Sequence, residues 1–233
     1  MADPVAEAPA PPRDAATIIL LRRSAKGASV LMGLRGANAA FMPSKYVFPG
    51  GGLDAADASV PLVTPLGQTC AARIDQRAAP GLAPALAAAA VRELWEETGL
   101  LLAEPATVAL PDGWAPFATQ GLAPTARDLR FFFRAITPPG RSRRFDARFF
   151  LADAGAIIGD PDDFSGASDE LSHLHWVPLP EARQLNLPFI TEVVLAEIMA
   201  HVANLPADAP LGTPDGVPFF DNSGPVPCFR RIY

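Results

Sequence analysis

Three carboxylates, Glu93, Glu96 and Glu97, stand three and one residues apart in the run ALAAAAVRELWEETG. That run is rich in strong helix formers, and Gly99 sits where a helix would end. On a helix the three glutamates share one face while Leu94 and Trp95 point elsewhere. Acids held so close repel one another, and cations among them relieve the repulsion; all-oxygen ligands in this number suit Mg²⁺ or Mn²⁺. Taken by itself, the same pattern also describes an ordinary solvated helix face, so the surroundings have to decide.

The elements expected to position this helix lie on both sides of it. Short apolar runs at 15–22 and 29–35 read as two strands, with a third at 46–48 that leads into Gly50-Gly51-Gly52, a stretch free to bring backbone close to a ligand. Further strands are expected at 129–136, 144–151 and 174–177. Residues 188–204 place Ile190, Val193, Val194, Ile198 and Val202 close to helical spacing. Prolines and glycines gather in 59–84, which reads as a surface excursion outside the core, and in the tail 206–233. Residues 1–14 read as a disordered lead, neither signal peptide nor membrane span. The domain expected between them is 15–205, with 59–84 as an insertion.

Composition narrows the class. With 49% hydrophobic residues in 233, a substantial core is expected, and a formal charge of −6 argues against affinity for nucleic acid through a broad basic surface. No apolar run is long enough for a membrane span. Cys70 and Cys228 form neither a CxxC pair nor a framework, which points to reduced thiols and a cytoplasmic protein. His173, His175 and His201 make no ligand constellation and are read as structural. Phe131, Phe132, Phe133 and Trp176 are read as core, with base stacking as the alternative. Arg141, Arg143, Arg144 and Arg148 form the densest basic stretch. On a strand, Arg144, Asp146 and Arg148 share a face that could grip phosphates, or could serve as solvated rim and internal ion pairs.

The sequence Phe48-Pro49-Gly50-Gly51, then Asp57, then Arg92-Glu93-Leu94-Trp95-Glu96-Glu97-Thr98-Gly99-Leu100 resembles the signature of the Nudix hydrolase family. That signature runs glycine, five residues, an acid, seven residues, Arg-Glu, an aliphatic residue, any residue, Glu-Glu, any residue, glycine and an aliphatic residue. The Arg-Glu half is filled throughout. Two departures stand out: Asp57 takes the place of the usual glutamate, with less reach, and 34 residues separate it from Arg92 where the signature has seven. A box split in this way, together with FMPSKYVFPGG upstream and RRFDARFFLA downstream, is similar to the branch that includes peroxisomal coenzyme A diphosphatases.

The resemblance implies an α/β fold, the α/β/α Nudix sandwich with a mixed central sheet, and a metal-dependent diphosphatase. By the same resemblance, Arg92 orients a neighbouring carboxylate, and Glu93, Glu96 and Glu97 hold Mg²⁺ or Mn²⁺ with the carbonyl of Gly51. Glu170, with Asp169 behind it, supplies the base or a further ligand. Arg35, Lys45, Arg144 and Arg148 are the candidate contacts to a nucleotide-like diphosphate, either coenzyme A or its acyl forms, or another nucleoside diphosphate derivative. The competing class is a Nudix-fold binding or sensor module without catalysis, which an intact set of glutamates disfavours. Homodimerisation is left open.

Overall fold

The computed structural model describes residues 11–203, 205–206 and 208–233. Its strands are β1 (Arg13–Ser24), β2 (Gly27–Arg35), β3 (Tyr46–Val47), β4 (Gly50–Gly52), β5 (Ala103–Pro105), β6 (Leu122–Pro124), β7 (Arg130–Ile136), β8 (Phe145–Asp153), β9 (Leu171–Pro178), β10 (Val217–Asp221) and β11 (Cys228–Ile232). The helices are α1 (Gln68–Asp75), α2 (Leu82–Thr98), α3 (Ala115–Ala118), α4 (Leu179–Ala182) and α5 (Phe189–Val202). No helix among the described residues is long and apolar enough to cross a membrane.

Nine strands form one sheet in the order β11-β10-β7-β8-β1-β2-β3, with β4 added to β1 and β9 to β2. The β1–β8 and β7–β10 pairs are parallel and the rest antiparallel, so the sheet is mixed. Alternation along β1 divides the core in two. Ile18 and Leu20 face a cluster that includes Leu86, Val91 and Leu94 of α2, whereas Ile19 and Leu21 face Val194, Leu195 and Ile198 of α5. The result is a helix layer on each face of a mixed sheet, as expected.

Helix α2 begins two residues before Pro84, which the first turn tolerates because an amide hydrogen there has no partner inside the helix. It ends at Gly99, whose left-handed φ of 78° lets its N–H reach Trp95 O at 2.8 Å.

Three boundaries differ from the sequence reading. The excursion expected at 59–84 is not confined to the surface: Val60, Leu66, Cys70 and Ile74 are buried in the same cluster as α2. Cys70 and Ile74, four residues apart, put a short apolar stripe on α1, and the prolines flank that helix rather than break it. The tail expected at 206–233 contributes β10 and β11, with Val217 and Phe219 buried. The lead expected at 1–14 overlaps β1, which takes in Arg13 and Asp14; residues 1–10 lie outside the described part.

Candidate active site

Arg92 is the hinge of the site. Its Nε and Nη2 donate to the two oxygens of Asp57 at 2.8 and 3.0 Å, and Nη2 also donates to Gly52 O at 3.1 Å. The shorter acid therefore has sufficient reach, because Asp57 lies in a one-turn 3₁₀ segment, 55–59, that brings it up to the helix. Asp57 Oδ2 also accepts the Asp54 N–H at 2.8 Å, and the carboxylate is 2% exposed. The fourth guanidinium bond set turns inward: Nη1 donates to Glu93 Oε1 at 2.8 Å and to Glu96 Oε2 at 2.9 Å. Hydrogen bonds and charges from Asp57 and Glu93 outweigh the burial that opposes its charge, so Arg92 stays ionised.

The carboxylates differ in setting. Glu96 is half exposed, whereas Glu93 and Glu97 are 9% and 2% exposed. Burial pushes Glu93 up to about 7, against the pull of Arg92 and with help from Glu96 and Glu170. Burial likewise pushes Glu97 up to about 8, although Glu97 Oε2 accepts the Gly50 N–H at 2.8 Å. Gly51 runs against Glu93 so closely that a Cβ there would lie 2.3 Å from Oε1. A side chain at Gly51 would therefore have to displace the Glu93 carboxylate from its place between the strand and the helix.

These features fit a divalent cation: hard oxygen donors, a backbone pressed against one of them, and two buried acids whose charge lacks full compensation. As they stand, no three carboxylate, histidine or cysteine side chains among the described residues converge into a ready cage, and Arg92 Nη1 is shared between Glu93 and Glu96.

Glu170 arrives from a loop that leans on the end of α2. Ser168 N–H donates to Glu96 O at 3.0 Å, and a Cβ on Gly99 would sit 2.9 Å from Gly166. The Glu170 carboxylate is exposed and acts electrostatically on both Glu93 and Glu97. Arg35, at the end of β2, acts on Glu97 from the other side.

The side chains of the remaining candidates are engaged in other contacts. Arg148 is 1% exposed and bonds Asp14 and Asp146, while Arg134 clasps Asp146 at 2.9 and 2.7 Å. The face shared by Arg144, Asp146 and Arg148 is therefore an internal ion-pair network where Asp146 and Arg148 are concerned, not a phosphate grip. Its cause is register: Ala16 pairs with Arg148 and Arg148 with Arg134, on the sheet face turned toward α2. Arg144 donates to Thr137 O at 3.1 Å, and Lys45 Nζ donates to Asn186 Oδ1 and Leu187 O. Phe131, Phe132 and Phe133 are core, and Trp176 carries Arg22 on its face at 4.0 Å. His201 packs edge-on to Phe132, and His173 and His175 lie on β9, where His175 packs edge-on to Tyr46. Asn38, which has no motif around it and was not among the sequence candidates, lines a cleft with Glu170 and Arg35.

Residues 83–198 match the family model of the NUDIX domain. A curated protein of Caenorhabditis elegans bearing the name nudix hydrolase 7 is 29% identical over 185 residues; the match covers 71% of this chain and 51% of that protein, so the chain spans about half the length of this relative. The crystal structure of a NUDIX hydrolase from Alicyclobacillus acidocaldarius superposes with a TM-score of 0.62 at 29% identity, over 82% of this chain and 92% of the other.

Proposed function

We propose that this chain, which carries a Nudix-type pyrophosphohydrolase domain on the Nudix fold, hydrolyses the diphosphate linkage of a nucleoside diphosphate derivative with the help of Mg²⁺ or Mn²⁺. The observation that carries this reading is the pair of buried carboxylates, Glu93 and Glu97, set against a glycine strand where a Cβ on Gly51 would displace the Glu93 carboxylate. A structural helix has no use for two buried acids held above their ordinary range, and a site that must accept cations does.

Glu93, Glu96, Glu97 and the Gly51 carbonyl would hold the metal. When bound, such an ion offsets charge on the diphosphate oxygens and acidifies water. Arg92, anchored by Asp57 and Gly52 O, keeps Glu93 and Glu96 turned toward each other. Glu170, exposed and near both buried acids, accepts the proton of the attacking water. Arg35, which lines the cleft beside Glu170, binds a phosphate oxygen through its guanidinium. The free thiols Cys70 and Cys228 accord with a cytoplasmic setting.

The test is product release from a panel of ADP-ribose, dinucleoside polyphosphates and coenzyme A derivatives, with and without Mg²⁺, for the native chain and Glu97→Gln. Metal-dependent turnover lost in the variant is expected. Binding of a panel member without turnover by the native chain would instead mark a sensor module.

A further inference from the structure

The cleft beside Glu170 has a volume of about 320 Å³ and is lined by Arg35, Gly36, Ala37, Asn38, Ala39 and Glu170. It adjoins the carboxylates, since Arg35 acts on Glu97 and Glu170 acts on Glu93 and Glu97. Its charged groups are one guanidinium and one carboxylate. Arg35 Nε is buried without a partner among the described residues, so the desolvation of this guanidinium is not offset there. The rest of the wall is small and uncharged, with Asn38 as its one neutral polar side chain.

A ligand with several phosphates needs several cations, and the other candidates are committed elsewhere. Lys45 is tied to Asn186 and Leu187, Arg144 to Thr137, and Arg148 to Asp14 and Asp146. One guanidinium can serve the diphosphate. A further phosphate in the same cleft would then face Glu170 and the glutamates of α2 without a second cation of its own.

Resting on the diphosphatase reading, we infer that this cleft takes the group esterified to one end of the diphosphate and selects for one that carries no additional phosphate. Arg35 holds a diphosphate oxygen. Asn38 supplies an amide donor and an acceptor suited to hydroxyl groups of a ribose-like moiety. Of the two substrate classes compatible with the site, this favours the nucleoside diphosphate derivatives without a 3′-phosphate over coenzyme A itself.

Coenzyme A and its 3′-dephospho form differ by that one group and serve as the probes. Equilibrium binding by calorimetry in Ca²⁺ and kcat/KM in Mg²⁺ are measured for the native chain and for Asn38→Lys and Asn38→Ala. The native chain is expected to favour the dephospho compound by about ten-fold or more, the scale of one uncompensated charge contact. Asn38→Lys, by adding a cation to the cleft, brings the ratio near one or inverts it; Asn38→Ala raises KM for the dephospho compound with kcat retained. Equal or better handling of coenzyme A by the native chain, a ratio unmoved in Asn38→Lys, or no binding of either probe overturns the assignment. If both probes bind and neither is cleaved, the hydrolase reading fails and the binding ratio still judges the cleft.

Discussion

Two places in this molecule bury several charges, and they do so in opposite ways. Under the start of β1 and β8, buried Arg134, Asp146 and Arg148 and the partly exposed Asp14 form a set in which two cations meet two anions. On α2, a single guanidinium is divided among Asp57, Glu93 and Glu96, while Glu97 has one backbone N–H. The first set balances in charge among its own side chains, although Arg148 Nε has no partner among the described residues; the second is short of positive charge. Buried charge that is matched internally serves the fold, and buried charge left in deficit points to something supplied from outside.

The sharpest way to break this contrast is to neutralise one member of each set. Glu97→Gln is expected to lower kcat by roughly two or more orders of magnitude, on the scale of losing a metal ligand, with the far-ultraviolet spectrum and Tm preserved. A variant with near-normal turnover would remove α2 from the chemistry. Arg148→Met should act in reverse, costing about 3–5 kcal/mol in denaturant unfolding because Asp14 and Asp146 lose a buried partner. Activity per folded molecule changes little in that variant. A loss of stability under 1 kcal/mol (roughly the ceiling for an exposed pair) would show the network to be incidental.

A third outcome separates the regions by pH. The folded-state values of Glu93 and Glu97 are raised to about 7 and about 8, so folding favours their protonated forms. The stabilisation this gives is complete below the ordinary carboxylate range near 4.5 and is lost as pH rises through about 7 to 8. Tm of the metal-free protein should therefore fall across that window, and Mg²⁺ should flatten the fall. A profile identical in chelator and in Mg²⁺ would count against a cation among these acids. The smallest effect is expected at the surface: Lys45→Ala, which removes the contacts to Asn186 and Leu187, should change KM less than about two-fold.

Helix α2 and its acids were readable because everything that defines them is local: helix formers, three-and-four spacing, a terminal glycine. The freedom of the three glycines to bring backbone close to a ligand was readable for the same reason, but their pairing with β1 as a strand was not. Arg148 was not, since strand alternation says that Arg144, Asp146 and Arg148 share a face but not whether that face meets water or the partner Arg134 on the neighbouring strand. Helix α1 escaped notice because eight residues between prolines carry too little periodicity, although Cys70 and Ile74 do mark its buried side. In β10 and β11 the prolines and glycines of the connecting turns masked the alternation of Val217 and Phe219. Asn38 gains meaning only from the cleft around it.

The stitching of α1 to the end of the chain has a consequence for the order of assembly. Arg73 donates to Pro214 O and Asp215 O, Arg77 pairs with Asp221, and Arg134 reaches back to Gln76 O and Arg77 O. During synthesis α1 leaves the ribosome some 140 residues before those partners do. Until then Arg73, 8% exposed in the finished structure, has no carbonyls to close over it. The layer that backs α2 is thus completed last, and a nascent chain stalled short of Pro214 presents its box unsupported, for chaperone or protease to sort.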